Sequence, residues 1–194
     1  MKKLIGIFTV AVLFAFVANN TVNAQETFGN AGLELAVPIG DWSEDIYTFG
    51  VGGSGGIELG LSDNFAITAN AGIVFLALDD GVSDLIKSSF LVPIQVGGRL
   101  YLDEQRSGLF LEAKAGIHLA STTTEDIDAG PLGTIEGDNT TETYVSVAPQ
   151  VGFFLTENMS VALRYQLFFI PEDEEIGQEG DTGSFIGLKA AYNF

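Results

Sequence analysis

Eight stretches of the chain place apolar side chains at every second position, the two-residue period of a β-strand. The first, Phe28 to Pro38, sets Ala31, Leu33, Leu35 and Val37 against Asn30, Gly32, Glu34 and Ala36. Tyr47 to Gly60 puts Tyr47, Phe49, Val51, Ile57 and Leu59 on one face, and its glycine run, Gly52-Gly53-Ser54-Gly55-Gly56, permits tight curvature. Phe65 to Phe75, Lys87 to Leu102, Leu109 to Leu119, Glu142 to Leu155 and Met159 to Phe169 continue the pattern. The last stretch, Ser184 to Phe194, alternates up to its final residue: Ile186, Leu188, Ala190, Tyr192 and Phe194 face one way, Gly187, Lys189, Ala191 and Asn193 the other. Pro93 and Pro149 lack the N–H that a ladder needs, so a bulge or an overhanging stretch of strand is expected near each.

The connections between these stretches alternate long and short. Ile39 to Ile46, Ala77 to Ile86, Ser121 to Thr141 and Pro171 to Gly183 are long, and Leu85-Ile86 suggests a helical turn in the second of them. Leu61 to Asn64, Asp103 to Gly108 and Thr156 to Asn158 are short. Such a rhythm is what an antiparallel up-and-down barrel requires, with short turns at one rim and long loops at the other; a Greek-key sandwich has no reason for it. Closure removes unpaired edges, so the last strand is indispensable. Strands of about ten residues match a bilayer crossed at a tilt of about 45°. The apolar faces then point to lipid, and their aromatics near strand ends suit interfacial girdles: Tyr47 and Phe49, Phe65 and Phe75, Phe90, Phe153, Tyr165 and Phe169, Tyr192 and Phe194.

The amino terminus fits export. Met1-Lys2-Lys3 precedes an apolar run from Leu4 to Val17 and a small-residue site, Val22-Asn23-Ala24, the layout of a signal peptide. The expected domains are a cleaved signal peptide, 1–24, and a barrel, 25–194. There is no cysteine, hence no disulfide and no thiol nucleophile. The net charge of −18 argues against nucleic acid as a partner. Most of the 26 acidic residues fall in the four long connections. Carboxylates there could take up Ca²⁺ or Mg²⁺, but no spaced ligand motif supports this, and a solvated, repulsive surface is the expected role. No metal or cofactor is expected.

Opposite the apolar faces stand Glu34, Glu58, Arg99, Glu112, Lys114, His118, Arg164 and Lys189. In a barrel these converge on the lumen, and eight strands leave an interior only wide enough to be filled by side chains. A charged hydrogen-bonded plug is therefore expected, the alternative being a narrow ion path with a charged gate. A water-soluble barrel of reversed parity would need a more basic exterior than the six Lys and Arg of residues 25–194 provide.

The turn-plus-strand units Leu61-Ser62-Asp63-Asn64-Phe65-Ala66-Ile67 and Leu155-Thr156-Glu157-Asn158-Met159-Ser160-Val161, the loop rhythm and the terminal Phe194 together resemble the small eight-stranded outer-membrane barrel families. These are the OmpX-like, OmpW-like and OmpA transmembrane-domain proteins, and the likeness covers residues 28–194. It implies a Gram-negative outer-membrane location with both termini at the periplasmic rim. It also implies contact with outer-membrane lipids and lipopolysaccharide, and handling by the barrel-assembly machinery through the strand ending at Phe194. The OmpA tethering role is not implied, since it belongs to a separate peptidoglycan-binding domain. Three functions follow from the resemblance: a structural or surface-interaction barrel, a porin-like passive channel for ions or small apolar solutes, and a lipid-modifying enzyme. The last would need His118 with Ser121 and Glu125 at the outer rim; parity turns His118 inward beside Lys114 and Glu112, so no catalytic residue is expected.

Overall fold

A computed structural model describes residues 26–40, 46–79, 86–103, 107–124, 127–128, 134–135, 137–171 and 180–194. The strands among them are β1 (Thr27–Ile39), β2 (Tyr47–Ser62), β3 (Phe65–Leu78), β4 (Ile86–Tyr101), β5 (Leu109–Thr124), β6 (Ile127–Asp128), β7 (Thr134–Ile135), β8 (Asn139–Phe154), β9 (Met159–Ile170) and β10 (Asp181–Asn193). β6 and β7 form a short ribbon inside one connection. The other eight close into an antiparallel barrel in which each pairs with its neighbours along the chain and β1 pairs with β10. The proposed cleavage site and most of the loop carboxylates lie outside the described residues.

Closure is made by the two ends of the barrel. Gly29 and Phe194 exchange both backbone hydrogen bonds, at 2.7 and 2.9 Å. The Phe194 ring lies so close over Gly29 that a β-carbon there would stand 2.4 Å from it, which is why a glycine serves at this point. The apolar belt faces outward all round the ring: Leu33 is 74% exposed, and Leu111, Leu163 and Leu188 are exposed as well. Only lipid is a fitting solvent for so large an apolar surface, and a closed barrel leaves no backbone group unpaired within it.

Three local expectations change. Neither Pro93 nor Pro149 makes a bulge. Beside Pro93 the β3–β4 ladder skips from Ala71↔Ile94 to Val74↔Leu91, and beside Pro149 the β8–β9 ladder skips from Val147↔Leu167 to Gln150↔Arg164, with the register unchanged in both cases. Each proline turns its missing donor toward one neighbour, and the flanking pairs hold the strands in step. The Gln166 side chain donates to the Val147 carbonyl at 3.2 Å, occupying an acceptor at the second gap. Tyr47 does not join the lipid-facing girdle. An irregularity between Tyr47 and Phe49 resets the alternation, and Tyr47 packs with the inner cluster instead. Ile86 is already strand rather than helical turn, while Leu85 lies outside the described residues.

The rim of long loops is less sharply distinct than the sequence suggests, because the strands run further into those connections. Residues 40–46, 79–85 and 102–108 are left between strands in equal measure. The last of these is held by the Leu102 N–H donating to the Leu109 carbonyl at 3.0 Å and by Gly108 at φ +69°, a left-handed conformation that favours glycine.

Candidate functional site: the barrel interior

Eight strands enclose a narrow lumen, so residues pointing into the ring are expected to pair or pack. Near the rim that holds both termini, Tyr101, Phe110 and Phe154 form an aromatic cluster with Ala66 and Ala162. Gly152 makes room for it: a β-carbon there would meet the Phe110 ring at 2.1 Å.

Above that cluster lies a layer of ion pairs. Arg99 donates to Glu58 at 2.8 Å and to Glu112 at 2.9 Å, with its guanidinium 4.4 Å from the Phe110 ring centre. Arg99 and Glu112 are register partners on β4 and β5, and Glu58 reaches across from β2. Glu112 also accepts from Thr68 at 2.6 Å and Gln150 at 2.8 Å, and Lys114 lies 3.8 Å from it. Tyr101 donates to Glu58 at 2.6 Å. On the other side of the barrel Arg164 pairs with Glu34 at 2.7 Å, Ser54 donates to Glu34 at 2.6 Å, and Lys189 donates to Asn30 at 3.1 Å. Gln95 bridges to Ser146 at 3.1 Å and Gln166 at 3.3 Å. All seven of these acids and bases are buried, and each carboxylate accepts several charge-assisted hydrogen bonds, the condition under which buried charges are tolerated.

His118 lies apart from these pairs. It is fully buried, its ring stacked on Phe168 at 6.0 Å and edge-on to Phe185 at 6.3 Å, and neither ring nitrogen has a hydrogen-bond partner among the described residues. Around it Ala36, Val74, Leu76, Leu91, Phe168 and Phe185 make an apolar cluster that the alternation pattern did not single out. The signal was present: Ile73 to Leu78 and Leu167 to Ile170 are apolar on both faces, so their inner positions had to be apolar too. Ser121 donates to Asn139 at 3.1 Å, a partner other than His118, and Glu125 lies outside the described residues.

Two cavities among the described residues interrupt the filling. One of about 240 Å³ sits among Tyr47, Leu76, Leu91, Glu142, Tyr144 and Phe168, toward the rim of long loops. The other, about 10 Å³, lies near Asn30, Arg99, Gln150 and Lys189 and holds no more than a water molecule. They share no lining residue.

A sequence model of the outer membrane protein beta-barrel domain matches residues 8–194. The chain belongs to that family. As an outer-membrane barrel it turns its terminal rim to the periplasm and its longer loops outward. No curated protein matches the sequence. Among solved structures, the N-terminal β-barrel domain of Pseudomonas aeruginosa OprF is similar at 15% identity and a TM-score of 0.55, over 89% of this chain and 100% of that one. Ail, the attachment invasion locus protein of Yersinia pestis, is similar at 12% identity and a TM-score of 0.58 over 89% and 100%. Neisserial surface protein A is similar at 13% and 0.51 over 88% and 98%. At these identities the likeness is one of fold.

Proposed function

We propose that the protein is a sealed barrel of the bacterial outer membrane, exported by a cleaved signal peptide, with a structural or surface-interaction role and no transport through its lumen. The observation that carries this reading is the ion-pair layer across the interior, with cavities on either side of it that have no lining residue in common. The lipid-facing belt meets outer-membrane lipids and lipopolysaccharide, and the strand ending at Phe194 is the part engaged by assembly machinery. A catalytic role draws no support from His118, which is enclosed by aromatic rings.

A second reading, a narrow passive channel, is favoured by buried Asn70 Oδ1, Gln150 Oε1 and Arg164 Nε, which have no partner within the described protein and would be completed by water. Liposome swelling with solutes of graded size separates the two. The sealed reading expects swelling no faster than in protein-free vesicles for every solute; size-dependent swelling would overturn it. Deleting Phe194 is expected to lower the folded, heat-modifiable fraction in the outer membrane on gels, and an unchanged fraction would remove the assembly role.

A further inference from the structure

The larger cavity lies outward of the ion-pair layer and takes no part in it. At about 240 Å³ it is smaller than the roughly 300–1,000 Å³ of sites for drug-sized ligands, so it suits a small occupant. Leu76, Leu91 and Phe168 supply apolar surface, and Tyr47 and Tyr144 bring two further aromatic rings. Tyr144 and Phe168 are stacked with centroids 5.7 Å apart. The polar groups are tied to the walls. Tyr47 Oη meets Ser89 Oγ at 3.1 Å, Ser89 lies 3.4 Å from Thr122 Oγ1, and the Tyr144 hydroxyl donates to the Glu142 carboxylate. Among the described residues Glu142 is the only charged one lining the cavity, and no described Lys, Arg or His lines it.

These features select by charge and by surface. Tyr47 and Tyr144 bring aromatic rings to the cavity, Phe168 being stacked against Tyr144 and His118, and the one ionised group among the described lining residues is a carboxylate, so positive charge is favoured and an anion finds no counter-ion among them. The aliphatic surface favours a cation clothed in methyl or methylene groups over a hydrated metal ion, which would need several oxygen ligands. The acidic chain, −18 overall, raises the local concentration of cations at its surface. We propose that this cup binds a small alkyl- or arylammonium cation, with Glu142 as counter-ion and Tyr47, Tyr144 and Phe168 as aromatic walls. The cup lies inside the ring of strands, so its ligand arrives free from the external medium rather than as a lipid headgroup from the bilayer. The inference goes beyond the sealed-barrel reading and does not need it, since a conducting barrel could carry the same cup.

The test is titration of the refolded barrel, in a maltoside detergent free of choline headgroups, with choline and with its neutral carbon isostere 3,3-dimethylbutan-1-ol, followed by calorimetry and saturation-transfer NMR. Choline is expected to bind saturably and about tenfold or more tighter than the neutral isostere, the size of effect a desolvated cation–aromatic contact gives. Glu142→Gln, at an exposed position, is expected to weaken choline severalfold while leaving the isostere unchanged, and Tyr47→Leu to weaken choline by a larger factor than the isostere. Equal binding of the two ligands, choline binding insensitive to both substitutions, or no choline binding at all would each overturn the proposal. Dodecylphosphocholine micelles that bind as tightly as free choline would overturn the assignment to a free solute.

Discussion

Toward the periplasm Arg99 is clamped between Glu58 and Glu112, while toward the outside Phe168 and Phe185, clustered with Leu91, pack against a histidine with no hydrogen-bond partner among the described residues. Both arrangements fill the same narrow lumen, but they fail in different ways. In the charged half a missing partner leaves an ion buried and uncompensated, so stability depends on completeness. In the apolar half it depends on volume, because a deleted group leaves a cavity whose cost scales with its size. The same contrast assigns different roles to the two ends. On the proposed reading the paired layer closes the interior, and the apolar end, opened slightly, becomes a cup.

The sharpest way to break this comparison is Arg99→Met, which strands Glu58 and Glu112 and is expected to cost about 3–5 kcal/mol in urea unfolding from phospholipid vesicles. Adding Glu58→Gln and Glu112→Gln to it should recover much of the loss, and a neutral single variant would dissolve the distinction between the halves. On the apolar side Leu91→Ala is expected to cost about 2–5 kcal/mol by the same measurement, whereas the volume-conserving Leu91→Met should cost less than about 1.5 kcal/mol. Gly152→Ala probes the aromatic seal at the periplasmic rim. Its β-carbon would meet the Phe110 ring at 2.1 Å, so a loss of about 1–3 kcal/mol is expected, relieved when Phe110→Leu is added in a double-mutant cycle. The smallest effect belongs to Glu142→Gln at the cup, within about 0.5 kcal/mol of the parent, which separates ligand recognition from folding.

Much of the barrel was legible in the sequence because a period of two and a narrow lumen leave few choices. Once Leu111 faces lipid, Glu112 must face inward; once the chain closes, inward charges must meet. What parity does not report is height along the barrel axis. His118 shares a face with Lys114 and Glu112, yet it stands at the level of Phe168 and Phe185. The pairing of Arg99 with Glu112 follows from the register across the 102–108 connection, and that of Arg99 with Glu58 from curvature across two strand boundaries; neither is written in the spacing of residues. Tyr47 was misplaced for a local reason, since one irregular step before Phe49 reverses the alternation. The cup was not legible at all, because its residues are contributed by β2, β3, β4, β5, β8 and β9 and meet only on closure.

The central proposal is that packed side chains, those of the ion-pair layer among them, seal the lumen by volume rather than by charge. Single-channel recording in planar bilayers, comparing the parent barrel with an Arg99→Met/Arg164→Met variant, addresses it most directly. A sealed interior predicts no conductance steps above the bare bilayer for the parent and none gained by the variant, which should instead unfold at lower urea. Discrete openings of the parent, or a large conductance appearing once the two guanidinium groups are gone, would contradict the account.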